Sequence, residues 1–168
     1  NSASASFVNT ASFTAKQSVN NNSVIDNKGI MTIANSLRNN ANGTIKNTCT
    51  INVSGELHNN NIFDNTGSVS VGTITYLNSG LLTMNAGSVI KTRDLMINSR
   101  IKGNVAACSK MEVSNRTTVN GGAAFEGLVS VCDANGIETE NVKTPKDCNC
   151  TATGTASGWA YEWTPSTG

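Results

Sequence analysis

The feature that most constrains the fold is a repeat of about 20 residues that runs through most of the chain. Small or turn-forming residues recur in one column at steps of 19 or 20 residues, and a short run rich in β-branched residues follows most of them. The members of this column are Gly29, Thr48, Gly67, Gly87, Ala107 and Gly127. Self-similarity at such a period is typical of solenoid proteins, so it limits the fold more than any other property of the sequence.

Asparagine recurs in two further columns with nearly the same period. The first contains Asn20, Asn39, Asn59, Asn78, Asn98 and Asn120, and the second contains Asn27, Asn47, Asn65, Asn85 and Asn104. The side-chain amides of stacked asparagines can pass hydrogen bonds from one to the next, as in cross-β stacks. Asparagine and glycine also tolerate the left-handed backbone conformation that tight corners require. Both columns are therefore predicted to be asparagine ladders at the corners of a coil.

These columns predict an all-β fold: a single-domain parallel β-solenoid, or β-helix, with about 19–20 residues per coil and an irregular C-terminal cap. Repeats of helix pairs need about 33 residues or more, and this chain has no run of strong helix formers. Successive coils would stack about 4.8 Å apart, which is the spacing of hydrogen-bonded strands. Asn39, Asn59, Asn78 and Asn98 are then expected to be vertical neighbours.

The period divides the chain into three segments. Residues 1–22 are predicted to form an irregular first coil or a strand exchanged with a neighbouring molecule, residues 23–132 the regular coils, and residues 133–168 a C-terminal cap with an aromatic strand. Alternation of apolar and polar residues in the short runs indicates half-buried strands. The residues predicted to face inward are Ile33, Ile45, Ile51, Val53, Leu57, Val69, Val71, Ile74, Leu82, Met84, Val89, Leu95, Ile97, Ile101, Val105, Met111, Val113 and Val119.

Charge and composition argue against several classes of protein. The net charge is +1 and only 14% of the residues are charged, so nucleic acid, which needs a clustered basic face, is not an expected partner. No run of 18 or more apolar residues is present, so no insertion into a membrane is expected. The chain has 25 asparagines but only two prolines, and its regular β-branched positions distinguish it from a disordered chain.

The start of the chain and its cysteines suggest a secreted, extracellular protein. Small residues of the kind found around a signal cleavage site open the sequence. Five cysteines fit an oxidising compartment, and the odd number leaves at least one free or bonded to another chain. A disulfide from Cys132 to Cys148 or Cys150 would close the C-terminal cap. Cys49 and Cys108, about three coils apart, are expected to be buried small residues, with Cys108 within reach of the tail.

The sequence predicts no enzyme, no cofactor and no metal site. Cleavage of sugar chains usually needs two close carboxylates. Asp26 and Asp64 share a column, but Ile45 is expected to lie between them. His58 falls in a predicted turn and is expected to be solvated. The Cys-Asn-Cys run at 148–150 is too short for a zinc knuckle.

Aromatic residues near both ends are predicted to cap or join the solenoid. Trp159, Tyr161 and Trp163 occupy alternate positions, so in a strand their rings share one face. We interpret them as a strand that covers an apolar end or pairs with the next subunit, and stacking on sugar rings is the alternative. Phe7 and Phe13 are the corresponding apolar anchors near the N-terminus.

Phrases such as Asn65-Thr-Gly67-Ser-Val69-Ser-Val71 resemble the parallel β-helix repeats of bacterial surface adhesins and extracellular fibre proteins. The resemblance covers about residues 9–132 and implies a fold and a cell-surface location, with no catalytic residues carried over. The size and repeat are also similar to those of bactofilins, which assemble end to end in the cytoplasm. The cysteines, the secreted-looking start and the C-terminal cap depart from that family.

A solenoid has two open ends whose strand edges must be capped or paired. We therefore expect a structural subunit of an extracellular filament, which assembles head to tail with copies of itself through its ends and terminal strands. Residues 1–22 are the first choice for an exchanged strand and residues 156–167 the second. The alternative is a monomeric surface adhesin or glycan-binding module with host or environmental glycans as partners. A polysaccharide lyase or hydrolase is a third class.

Overall fold

The structure is a computed structural model that describes residues 6–135 and 137–139, the last three through their backbone only. Within this range the chain forms 18 β-strands and no helix. In chain order the strands are β1 Ser6–Asn9, β2 Ser12–Ala15, β3 Val19–Asn21, β4 Val24–Asn27, β5 Ile30–Ile33, β6 Leu37–Asn39, β7 Thr44–Asn47, β8 Thr50–Val53, β9 Leu57–Asn59, β10 Ile62–Asn65, β11 Ser68–Leu77, β12 Leu81–Met84, β13 Val89–Ile97, β14 Arg100–Gly103, β15 Ser109–Val119, β16 Ala124–Glu126, β17 Val129–Asp133 and β18 Ile137–Thr139.

The strands stack into three faces, and all the pairings between them are parallel. The first face contains β1, β4, β7, β10, β12, β14 and β16. The second contains β2, β5 and β8, the first halves of β11, β13 and β15, and then β17. The third contains β3, β6 and β9, the second halves of the same long strands, and then β18. The predicted all-β parallel solenoid with coils of about 20 residues is confirmed.

The core is a column of apolar side chains, because alternate residues of each strand point inward. On the first face Ile25, Ile45, Phe63, Leu82 and Ile101 lie above one another in register. Each of them is at most 2% exposed. Fifteen of the 18 residues predicted to face inward are buried. Aliphatic side chains can therefore fill a core this narrow with few aromatic rings.

Three of the predicted core positions are wrong. Ile74 and Val89 are only half-buried, and their neighbours Thr75 and Ile90 take the inward positions instead. The register of β11 is irregular between Val71 and Ile74, where the strand bends from the second face to the third. Because side chains alternate with a period of two, a shift of one residue exchanges the inner and outer sets. Val105 is 85% exposed and lies in the connection between β14 and β15.

The first coil is regular rather than irregular. β1, β2 and β3 pair with β4, β5 and β6 of the next coil without a shift in register. The solenoid also continues beyond residue 132, since β17 ends at Asp133 and β18 pairs with β15. The predicted aromatic strand of Trp159, Tyr161 and Trp163 lies outside the described residues.

A corner between the first and second faces is built on close contact of backbones. Ile30, Thr50 and Ser68 are register neighbours, so Cys49, and not Thr48 as predicted, is aligned with Gly29 and Gly67. A Cβ atom added to Gly67 would lie 2.0 Å from the carbonyl oxygen of Cys49. The lack of a side chain is therefore required at this point, because the two coils meet backbone to backbone.

Candidate functional site

The first asparagine ladder follows the C-terminal ends of the strands on the first face. The Nδ2 of Asn9 donates to Oδ1 of Asn27 at 2.7 Å, Asn27 donates to Asn47 at 2.8 Å, and Asn47 donates to Asn65 at 2.8 Å. All four are buried, with exposures of 6% or less. Asn27, Asn47 and Asn65 were predicted in this column. Asn9 was missed, although a step of 18 residues back from Asn27, the spacing that also separates Asn47 from Asn65, would have found it.

The second ladder lies at the end of the third face. Asn21 donates to Oδ1 of Asn39 and Asn39 donates to Oδ1 of Asn59, both at 2.8 Å. All three side chains are fully buried. Asn39 and Asn59 are vertical neighbours as predicted, but Asn20 is not in the ladder. It points outward and pairs in register with Arg38, so its neighbour Asn21 occupies the ladder position.

The remaining members of that predicted column form an outer row displaced by one residue. Asn59 is aligned with Leu77, so Asn78 is not its vertical neighbour. Instead, Asn78 donates to Oδ1 of Asn60 at 3.1 Å, and Asn120 donates to Oδ1 of Asn98. Asn40 likewise donates to Asn22 at 2.8 Å. These bonds lie at the surface or are only partly buried, in contrast to those of the inner ladder.

The first inner ladder stops after the fourth coil, and the second stops after the third. Met84 and Gly103 continue the column of Asn65, and Leu77, Ile97 and Val119 continue that of Asn59. The predicted members Asn85 and Asn104 are outside the ladder. Asn85 donates to a carboxylate oxygen of Asp64 at 2.6 Å, and Asn104 accepts the backbone N–H groups of residues 106 and 107.

The amides of the two ladders all point the same way. Oδ1 of Asn9 accepts the backbone N–H of Ala11, and Oδ1 of Asn21 accepts that of Ser23. A backbone N–H can only donate, so these contacts identify the amide oxygens of Asn9 and Asn21. In each ladder, every Nδ2 except that of the last asparagine then donates to Oδ1 of the asparagine in the following coil. At the first coil the ladders therefore begin with amide oxygens to which no asparagine of the described chain donates.

The first coil is an open, apolar end. Within the described range, β1, β2 and β3 have strand neighbours on one side only. Their inward residues Phe7, Phe13, Ala15 and Val19 are only partly buried, whereas their partners one coil above are almost wholly buried. The rings of Phe7 and Phe13 contact each other with centroids 4.7 Å apart. Phe7 and Phe13 therefore lie at the N-terminal end of the solenoid, and their role in capping or assembly stays a prediction.

Six of the seven carboxylates whose side chains are described pair with cationic or amide side chains; the buried seventh, Asp133, accepts a hydrogen bond from the backbone N–H of Asn135, and its Oδ2 has no partner in the described structure. Asp26 and Asp64 share a column, but Lys46 lies between them, not Ile45 as expected. In the described part of the chain no group of three or more His, Cys, Asp and Glu side chains could hold a metal ion. Nothing in this arrangement offers the close carboxylate pair of a glycosidase.

Asp94 lies in a cluster of charged and amide side chains at the bend of β13. Its carboxylate accepts 2.8 Å and 2.6 Å hydrogen bonds from Arg93 and Asn115. Partial burial raises the pKa of Asp94, but these two bonds and the charges of Arg93 and Arg116 outweigh burial and lower it. At the last first-face strand, the hydrogen bond and charge of Arg100 lower the pKa of Glu126. Both shifts are those of surface ion pairs, which hold carboxylates ionised.

His58 belongs to an outer row on the third face rather than to a solvated turn. Its ring stacks on Tyr76 of the next coil, with centroids 4.6 Å apart and planes at 21°. Its Nε2 lies 2.8 Å from a carboxylate oxygen of Glu56, which also faces Arg38 at 3.8 Å. The stacked rings belong to successive coils, so their flat faces are directed along the solenoid axis, toward each other. A platform for a sugar ring would need faces turned outward.

The three described cysteines, Cys49, Cys108 and Cys132, are all half-buried, and Cys49 is a free thiol. Full burial of Cys49 and Cys108, as expected from the sequence, is therefore wrong. The predicted bridge from Cys132 to Cys148 or Cys150 involves two residues outside the described range.

None of the described segments is a helix that could cross a membrane.

Comparison with known proteins gives no relative. A scan against models of known protein families matches none, and neither the curated proteins nor the solved structures contain a match. The likeness to adhesin and fibre repeats therefore rests on the sequence phrases alone, while the solenoid fold rests on the register of its strands.

Proposed function

We propose that this chain is a structural subunit of an extracellular filament, in which copies stack head to tail through the ends of the solenoid. The observation that carries the proposal is the first coil, where core columns and strand edges stop without a partner in the described chain. Unpaired strand edges readily take up another chain, and a repeated contact that does not close on itself produces a filament.

The ladder polarity favours a head-to-tail contact. If two first coils met face to face, the amide oxygens of Asn9 and Asn21 would approach the same groups of the other copy, and acceptors repel one another. The C-terminal end of a second copy avoids this clash, because it arrives with strands running in the same direction and brings other residues to those columns. This end-on stacking continues the parallel pairing that joins the coils within one chain.

Burial of the open end would contribute several kcal/mol toward a specific contact. The partly buried Phe7, Phe13, Ala15 and Val19 are the residues to be covered. Covering about 300 Å² of apolar surface at about 25 cal/mol per Å² is worth about 7 kcal/mol before the entropy of association is subtracted. Strand pairing then adds direction rather than much further affinity.

Two substitutions in the first coil test the proposal, one at the open end and the other, as its control, on the outer surface. Phe13→Asp places a carboxylate on the open end, and Val8→Asp places one on the outer surface, where Val8 is 52% exposed. We expect the unchanged protein and Val8→Asp to form uniform filaments in electron microscopy. Their sedimentation coefficients should increase with protein concentration. Phe13→Asp should give discrete particles with an unchanged circular dichroism spectrum. Val19→Asp is a second variant at the same end, should Phe13→Asp fail to fold.

Three outcomes would overturn the proposal. Filaments of undiminished length in both folded end variants would mean that the first coil is not the contact. A wild-type protein that stays monomeric at all concentrations would remove self-assembly altogether, and discrete particles that bind a glycan array would favour the adhesin or glycan-binding module. Deletion of residues 1–22 is a poorer test, because it would expose the apolar end of the next coil, formed by Ile25, Met31 and Leu37.

A further inference from the structure

We infer that Asn120 is a site of spontaneous deamidation in the folded protein, and that Asn42 is protected from the same reaction. An asparagine followed by glycine is the dipeptide most prone to deamidation, because glycine lets the backbone nitrogen reach the side chain of the residue before it. The sequence contains three such dipeptides, which begin at Asn42, Asn120 and Asn135. Asn135 is followed by a residue outside the described range, so the structural comparison is between the first two.

The two glycines occupy different positions in their turns. The N–H of Gly43 donates to the backbone oxygen of Asn40 at 2.8 Å, so it closes its turn. In the turn after β15, the N–H of Ala123 donates to the backbone oxygen of Asn120 at 2.9 Å, so Gly121 is the second of four residues. The N–H of the second residue takes no part in closing a turn. The described structure shows no hydrogen bond from it.

The surroundings of the two glycines differ in the same direction. Gly43 is buried, and a Cβ atom added there would lie 2.2 Å from Oδ1 of Asn39, so its backbone is packed against the second ladder. Asn120 and Gly121 are both exposed, and no heavy atom beyond its chain neighbours lies within 4 Å of a Cβ added to Gly121. The nitrogen of Gly121 can therefore rotate toward the side chain before it, whereas that of Gly43 requires local unfolding.

One surface hydrogen bond restrains the side chain of Asn120. Its Nδ2 donates to Oδ1 of Asn98, and this contact is exposed. Water replaces such a bond at little cost, so the bond does not hold the amide away from the nitrogen of Gly121.

The reaction consumes one water and releases one ammonia. The backbone nitrogen of Gly121 loses its proton to a base and attacks Cγ of Asn120. The new N–C bond closes a succinimide ring, and Nδ2 leaves as ammonia. Water then adds to one of the two ring carbonyl carbons. Cleavage of the new N–Cγ bond gives aspartate, and cleavage of the original peptide bond gives isoaspartate, in which the chain continues through the former side chain.

Either product changes the corner between the third face and the first. The donor to Asn98 is lost and a carboxylate is introduced. Isoaspartate also lengthens the main chain by one atom between β15 and β16. Val119, directly before the site, is buried in the core, and Phe125 of β16 packs against it. The modification would therefore disturb the last first-face strand and leave the open first coil, and the filament contact proposed there, unchanged.

The rates of deamidation in folded and unfolded protein test the inference. Both samples, one of them in urea, are held at the same mildly alkaline pH and digested with trypsin at intervals. Asn42 lies in peptide 39–46 and Asn120 in peptide 117–143, where fragment ions in mass spectrometry separate it from Asn135. In urea the two sites should convert at similar rates. On folding, Asn120 should keep its rate within a few-fold, while Asn42 should slow by at least about tenfold, because the N–H of its glycine must first be released.

Gly121→Ala is the matched variant, because its Cβ has room in the fold but hinders the attacking nitrogen. It should slow the conversion of Asn120 several-fold in both samples and leave Asn42 unchanged. Suppression of Asn120 by folding as strong as that of Asn42, or earlier conversion of Asn42 in the folded protein, would overturn the inference. An unchanged rate in Gly121→Ala would also overturn it, since ammonia would then not be lost through the attack of that nitrogen.

Discussion

The side-chain amide of Asn39 donates a 2.8 Å hydrogen bond to Oδ1 of Asn59 in the next coil, and neither residue is accessible to solvent. The same Nδ2 also reaches the backbone oxygen of Ile62 at 2.9 Å. A buried amide without partners would cost free energy, but here the partners come from the adjacent coil of the solenoid. The ladder thereby favours this register, because a shift of one residue would turn these asparagines to the outer side of the strand and break their buried hydrogen bonds.

Removal of an interior ladder residue should destabilise the protein more than removal of an outer asparagine. Asn47→Ala deletes the acceptor of Asn27 and the donor to Asn65, both at 2.8 Å in a fully buried site. We expect the free energy of unfolding to fall by about 2–4 kcal/mol, because two buried polar groups lose a partner. Asn52→Ala, on the outer side of the next strand, should change it by no more than about 0.5 kcal/mol. Equilibrium urea denaturation of both variants measures the difference, and equal effects would show that the ladder adds no stability.

The sequence predicts the coil and the identity of its corners, but not which asparagine of a run points inward. Asn20, Asn21 and Asn22 are consecutive, as are Asn59, Asn60 and Asn61. Adjacent members face opposite sides of the strand, and the coils differ in length by two residues, as the steps from Asn9 to Asn27 and from Asn27 to Asn47 show. A prediction made with a constant period is therefore displaced by one residue in some coils, where it picks the outward-facing neighbour of the ladder asparagine.

The sequence also does not predict where the ladders end, for a different reason. Asn85 and Asn104 keep the period, yet Met84 and Gly103 hold the inward position. A buried thioether or a bare backbone satisfies that site without an amide. Whether an amide or an apolar group fills a core column depends on the partners one coil away, which only the three-dimensional register provides.

The loss of stability on replacing a glycine by alanine should depend on how closely the backbone of the neighbouring coil approaches that glycine. Gly67→Ala would place Cβ 2.0 Å from the carbonyl oxygen of Cys49, and we expect a loss of about 2–3 kcal/mol or more, since two backbones must separate. Gly121→Ala has no heavy atom within 4 Å of the new Cβ and should be neutral or slightly stabilising. Thermal melting of the pair is the measurement. A melting temperature of Gly67→Ala equal to that of Gly121→Ala would contradict the close approach of the coils.

Acid should weaken the bend between the second and third faces through Asp94. The pKa of Asp94 is lowered below its usual 3.8, so the folded state favours the carboxylate. Its contribution to stability is present above the unfolded pKa and is lost as the pH falls through the lower pKa of the folded state. Below about pH 4 the melting temperature of the wild type should therefore fall more steeply than that of Asp94→Asn. At pH 7 the variant should be less stable by under about 1 kcal/mol, as for other surface pairs. Parallel melting curves from pH 7 to 2.5 would contradict the assignment.

Replacement of a buried hydroxyl should stabilise the solenoid. Thr75 occupies the inward column between Leu57 and Leu95, is fully buried, and its Oγ1 has no hydrogen-bond partner in the described structure. Thr75→Val keeps the branched shape and removes the desolvated hydroxyl, so we expect the free energy of unfolding to rise by about 1–2 kcal/mol. Thr118→Val, on the outer side of β15, provides the control and should have little effect. A loss of stability in Thr75→Val would mean that a buried water or a backbone carbonyl bonds the hydroxyl, and that this core column contains a polar contact after the ladder ends.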